Sequence, residues 1–127
     1  MKRTLSHRLP PLIWMGLIFF FSAQPHLPRA PAPWLDTLLK KLGHALGYGV
    51  LAWLYLRALR GHLHPPNSCR AVSLGLALLY GLSDEYHQTF VPGRNGTLLD
   101  VAVDGMGAGG AMLLEWWLQR RRESGAR

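Results

Sequence analysis

The chain has 127 residues, a single-domain length, with 49% apolar and only 17% charged residues, against roughly 25% charged in soluble domains. The formal net charge is +7 and the pI about 10.3, a balance found in nucleic-acid binders and in membrane proteins with basic cytoplasmic loops. Cys69 is the only cysteine, which excludes an intrachain disulfide and a cysteine-based zinc site.

The first apolar run is Leu9–Ala23, behind Lys2, Arg3 and Arg8. At about 1.5 Å per residue it is short for a bilayer core of about 30 Å. No clean small-x-small cleavage site precedes Gln24-Pro25, and Pro33 directly follows the Ala30-Pro31-Ala32 candidate. The run therefore reads as an uncleaved helix rather than a signal peptide. Pro25, Pro28, Pro31 and Pro33 mark a loop,. A second helix runs from Trp34 or Asp36 to Leu59 and stops at Gly61, with Gly43 and Gly47 on one face as a close-packing pair,.

The third apolar stretch, Ala71–Leu82, continues into Ser83–Gln88, and Pro92-Gly93 and Asn95-Gly96 follow as turns,. The last helix runs from Thr97 to Leu118 and carries Gly105 and Gly109, a second candidate contact pair,. Trp116-Trp117 followed by Arg120-Arg121-Arg122 has the look of a membrane exit,. The expected fold is all-α, an integral membrane bundle of four transmembrane helices at about 9–24, 36–60, 70–89 and 97–119,.

Charge placement orients this bundle. With the N-terminus inside, ten Lys and Arg are cytoplasmic, and Arg29, Lys40, Lys41 and Arg94 are the four outside, as the positive-inside rule requires. Both termini are then cytoplasmic. The Arg residues flank apolar runs and form no patch interleaved with aromatics, so nucleic acid is not the expected partner.

Four of the seven acidic residues are Asp84, Glu85, Asp100 and Asp104. In this topology they sit at the outer ends of the third and fourth helices. Lys40, His44 and Tyr48, spaced by four, form a stripe at the outer end of the second,. Asp84, His87 and Gln88 share a face of the third, as Asp100 and Asp104 do on the fourth. Charge facing lipid is strongly disfavoured, so these stripes should turn inward and build one pocket.

Asp84, Glu85 and His87 are the candidates for acid and base work. Lys41, His44, Tyr48, Gln88, Arg94, Asp100 and Asp104 are the candidate ligand-binding set, with Lys41 and Arg94 suited to an anionic group. Lys40 offers a further cation or simply snorkels. The competing bland readings are inter-helix salt bridges and, for Thr97-Leu98-Leu99-Asp100, a helix-start capping box. His44, Asp84, Glu85 and His87 together offer nitrogen and oxygen donors for a divalent ion, but their spacing matches no known metal pattern and no metal or other cofactor is assigned.

Ser22-Ala23-Gln24-Pro25, Lys41-Leu42-Gly43-His44 with Tyr48, and Ser83–Arg94 with its Asp84-Glu85-Tyr86-His87-Gln88 and Pro92-Gly93-Arg94 core, followed by Asp100 and Gly107, resemble the VanZ-like family of small bacterial membrane proteins. The resemblance extends over about residues 11–114. Where the family pattern more often carries Asn, this chain has Asp104. The resemblance implies helical spans in the bacterial inner membrane and a link to resistance against the lipoglycopeptide teicoplanin; it supplies no reaction. The expected ligand is a membrane lipid or lipid-linked molecule, bound or modified at the outer face. The alternatives are a lipid- or lipoglycopeptide-binding module without chemistry, and a structural protein whose polar cluster holds the helices together.

Overall fold

The structure is a computed structural model that describes residues 2–24, 28–93 and 97–127. It is all-α. Helices α1 (Lys2–Ser22), α2 (Pro33–Leu59), α3 (Pro66–Gln88) and α4 (Leu98–Gly125) alternate in direction. The ends of α1 and α3 meet the starts of α2 and α4 at one end of the bundle, the polar end.

The helices outrun their apolar segments. Hydropathy marks the part of a helix that avoids water, whereas backbone hydrogen bonding continues past it. So α1 begins at Lys2 rather than near residue 9, and runs on through Pro10 and Pro11 although each removes a backbone donor,. Pro33 and Pro66 sit in the first turns of α2 and α3, where a missing N–H is harmless, and these helices start three and four residues earlier than expected,. α4 continues to Gly125, with Arg122 in the last turn where a cation suits the helix dipole,. Gly93 takes φ 77°, the left-handed turn conformation expected at Pro92-Gly93,. The Asn95-Gly96 turn lies outside the described residues.

α2 packs most extensively on α4, α3 lies against both, and α1 rests mainly on α2. The apolar core is small: Ala52, Leu56, Cys69, Ala77, Ala108 and Met112. The lone thiol is buried there, donating to the Leu63 carbonyl. Large apolar side chains instead cover the outside, with Leu46 70%, Leu79 64% and Leu113 68% exposed. Among the described residues no helix is long and apolar enough to cross a membrane. The four-helix part of the expectation stands, and a membrane setting does not follow from helix hydropathy.

The close helix contact is made by different glycines from those expected. A Cβ on Gly43, Gly47 or Gly109 would meet nothing within 4 Å. Of the expected pairs only Gly105 is crowded, by the Leu78 side chain. The tight crossing is between α2 and α4, where a Cβ on Gly49 would lie 3.1 Å from the Gly107 carbonyl oxygen and one on Gly107 would overlap the Ala45 backbone. Spacing by four is satisfied by any pair on a common face; which face meets a partner is set by the crossing.

The Ala45 backbone cannot rotate aside, so Gly107→Ala should destabilise the bundle by about 1–3 kcal/mol or more. Gly109→Ala should be neutral or mildly stabilising, since it fills open space and favours helix by up to about 1 kcal/mol. Thermal unfolding of both variants in detergent checks this; equal midpoints would contradict the assigned crossing.

Candidate functional site

All four helices deliver polar side chains to the polar end. From α3, Asp84 and Glu85 are 3% and 5% exposed, and from α4, Asp104 is 1% exposed. A buried carboxylate is costly unless donors surround it, and the donors come from the other helices. Ser22 Oγ at the end of α1 donates to Asp84 Oδ2 at 2.7 Å, and Tyr48 OH from α2 donates to the same oxygen at 3.3 Å. Gln88 Nε2 in turn donates to Ser22 Oγ. His44 Nδ1 lies 3.0 Å from Asp104 Oδ1. Lys41 Nζ is 3.3 Å from Asp100 Oδ1 at the rim.

Glu85 takes a structural position that its sequence neighbours do not announce. Its Oε2 accepts the Thr97 backbone N–H at 3.1 Å, so a carboxylate of α3 satisfies the first free donor of α4,. The expected capping box is therefore half formed. Thr97 Oγ1 accepts from the Asp100 N–H, as an N-cap should,. The reciprocal contact to the Thr97 N–H is made by Glu85, while the Asp100 carboxylate takes the Thr97 hydroxyl and Lys41.

Eight of the ten expected site residues thus gather at this end: Tyr48, Asp84 and Gln88 around Ser22, His44 with Asp104, and Lys41, Asp100 and Glu85 around Thr97. His87 is turned toward α1, its ring 4.6 Å from that of Phe19, and its buried Nδ1 has no hydrogen-bond partner among the described residues. Arg94 lies outside the described residues. Lys40 pairs with its helix neighbour Asp36 at 2.8 Å. Ser22 was not singled out by its position; its only signal is the Ser22-Ala23-Gln24-Pro25 stretch, because a lone Ser at the end of an apolar run carries no periodicity.

One more partner set is open. Asp84 Oδ1, Glu85 Oε1 and Asp104 Oδ2 are buried and without a hydrogen-bond partner among the described residues. His44, Glu85 and Asp104 bring one donor atom each within 4.8 Å of one another. Beside this cluster a groove of about 340 Å³ runs between α1 and α2. Its walls are apolar, including Trp14, Leu17, Ile18 and Phe21, and it ends on Ser22, Lys40, His44 and Asp84. Gly43 and Gly47 leave it open, and Trp14 Nε1 donates across it to the Gly47 carbonyl at 2.8 Å.

Ser22→Ala removes one donor from Asp84 and the acceptor of Gln88. It should destabilise the bundle by about 1–3 kcal/mol, while Ser83→Ala, at an exposed position, should stay within about 0.5 kcal/mol of the parent. Thermal or denaturant unfolding reads both, and an unaffected Ser22→Ala would remove Ser22 from the network.

No curated protein and no solved structure matches the chain. The model of the VanZ/LLP1 family matches residues 9–119, a stretch that takes in α2 and α3 whole, most of α1 and α4, and the polar cluster. The chain belongs to the VanZ/LLP1 family.

Proposed function

We propose that the chain is a multi-pass protein of the bacterial cell membrane, with both termini cytoplasmic, whose polar end opens to the outer leaflet and binds an amphiphile with an anionic head group: a membrane lipid or a lipid-linked envelope molecule. The observation that carries the reading is the groove between α1 and α2, apolar along its walls and polar at one end. An acyl chain fits the walls, and the head group reaches Ser22, Lys40 and His44. Lys40, not Lys41, is the cation of this groove. Its ion pair with Asp36 is half exposed and weak,, so the ammonium can turn to a phosphate or carboxylate.

The bilayer setting is supported by the distribution of polarity. Many large apolar side chains face outward, Leu46, Leu79 and Leu113 among them, while Asp84, Glu85 and Asp104 are buried, the inverse of a water-soluble bundle. A helix average counts inward-facing His44, Asp84, Glu85 and Asp104 as though they met lipid, which lowers the hydropathy of helices whose outer surface is apolar. At the opposite end, Arg120 and Arg121 stack on Trp116 and Trp117, with guanidinium carbons 4.6 and 4.0 Å from the ring centroids. Aromatic residues backed by arginine suit a cytoplasmic interface. Family membership is compatible with a role in teicoplanin resistance, and a lipoglycopeptide, an apolar acyl chain on a polar body, is an amphiphile of the kind the groove suits.

A second reading is favoured by a separate observation. The contacts of Ser22 with Asp84, Tyr48 with Asp84, His44 with Asp104, Lys41 with Asp100 and Glu85 with Thr97 all join different helices. The cluster then serves to hold the bundle together, with no ligand.

Gly43→Leu separates the two. It places a side chain in the open groove, where a Cβ meets nothing within 4 Å. Lipid retained by the purified chain, measured by native mass spectrometry in mild detergent, should fall at least about tenfold, the effect of losing roughly 1.4 kcal/mol of binding, with the unfolding midpoint unchanged. Retention equal to that of the parent, or no retained lipid in either, would leave the purely structural reading.

A further inference from the structure

We propose that His44, Glu85 and Asp104 form a binding site for a divalent transition-metal ion, of the Zn²⁺ or Mn²⁺ class, at the junction of α2, α3 and α4. Their donor atoms lie within 4.8 Å of one another. Ligands on opposite sides of an ion with bonds of about 2.0–2.4 Å are separated by about 4–4.8 Å, and adjacent ligands by about 3 Å. The 3.0 Å contact of His44 Nδ1 with Asp104 Oδ1 already sets the imidazole and the carboxylate side by side.

The independent pointer is the set of open carboxylate oxygens. Glu85 and Asp104 are 5% and 1% exposed. Each commits one oxygen to a protein contact, Glu85 Oε2 to the Thr97 N–H and Asp104 Oδ1 to His44. The other oxygen of each, Glu85 Oε1 and Asp104 Oδ2, is buried with no hydrogen-bond partner among the described residues. Leaving a charged acceptor buried and unmatched is strongly unfavourable. Charge points the same way. Lys41 is engaged at the rim with Asp100, and Asp84 is held by the hydroxyls of Ser22 and Tyr48. Among the described residues, that leaves Glu85 and Asp104 to be balanced by one imidazole or by one doubly charged ion.

An imidazole among the donors favours a first-row transition ion over Mg²⁺ or Ca²⁺, which prefer all-oxygen shells. Three protein ligands leave positions for water or an exogenous oxygen. His44 also lines the groove, so an anionic head group there is a natural source of that oxygen. The ion site itself does not depend on the lipid reading.

The test uses the full chain in detergent, stripped with EDTA and titrated with Zn²⁺ or Mn²⁺ by calorimetry with no lipid added. A single ion should bind per chain. Glu85→Gln and Asp104→Asn, which keep shape and remove charge, should each weaken binding by about 100-fold or more, while Glu123→Gln on the exposed end of α4 should bind as the parent does. Absence of binding to the parent chain, or an equal loss in Glu123→Gln, overturns the proposal. If the cluster variants do not fold, X-ray absorption of the Zn²⁺-loaded parent decides: a shell containing one imidazole nitrogen supports the site, and an all-oxygen shell overturns it. Because lipid retention and ion binding are read separately, failure of one leaves the other standing.

Discussion

Asp84, Glu85 and Asp104 are buried at one end of a bundle whose outside is largely apolar, and the arrangement of the helices follows from how those carboxylates are satisfied. A desolvated carboxylate needs donors of matched geometry. Here no helix supplies its own. α1 contributes a hydroxyl, α2 a phenol and an imidazole, and α4 a backbone N–H. Breaking such a set by removing one partner costs far more than the contacts contribute when complete, because it strands the other partner in a low-dielectric site. The polar end is therefore a cooperative junction, while the small core of Ala52, Leu56, Cys69, Ala77, Ala108 and Met112 only fills the space behind it.

That junction depends in turn on how closely α2 and α4 approach. Gly107 lies against the Ala45 backbone, and Gly49 against Gly107. Ala45 follows His44 in sequence and Gly107 lies one turn beyond Asp104, so the glycine crossing brings the imidazole and the carboxylate within 3.0 Å. A bulkier crossing would push the two helices apart and leave Asp104 without its partner. The same spacing on the other flank of α2 has the opposite consequence. Gly43 and Gly47 face α1, which stands off, and the space becomes the amphiphilic groove.

Much of this was legible because burial of charge has a strong sequence signature. Polar residues spaced by three or four at the edges of apolar runs must face one another across a bundle, and that logic places Lys41, His44, Tyr48, Asp84, Glu85, Asp100 and Asp104 together. The pairing within the group was not legible. Lys41 meets Asp100 rather than Asp84 or Glu85, and Glu85 accepts the N-terminal Thr97 N–H of α4, because partner choice depends on helix rotation to within a fraction of a turn. Ser22 carries no periodic signal, since a single hydroxyl has no period, and stands out only within the Ser22-Ala23-Gln24-Pro25 stretch. His87 shares a face with Asp84 and Gln88, yet its ring sits on Phe19, since a helix face is wide enough to touch two neighbours. Helix ends lie beyond the apolar stretches, at Lys2 and Gly125, because hydropathy does not mark where backbone hydrogen bonding stops.

The contact between His44 and Asp104 joins the glycine crossing, the buried charge and the functional cluster, so it is the most direct test of the account. A double-mutant cycle with His44→Ala, Asp104→Asn and the double variant, read by reversible unfolding in detergent with EDTA present, measures the coupling of the two side chains free of any ion. The account predicts a coupling of about 1 kcal/mol or more. Strict additivity of the two substitutions would contradict it.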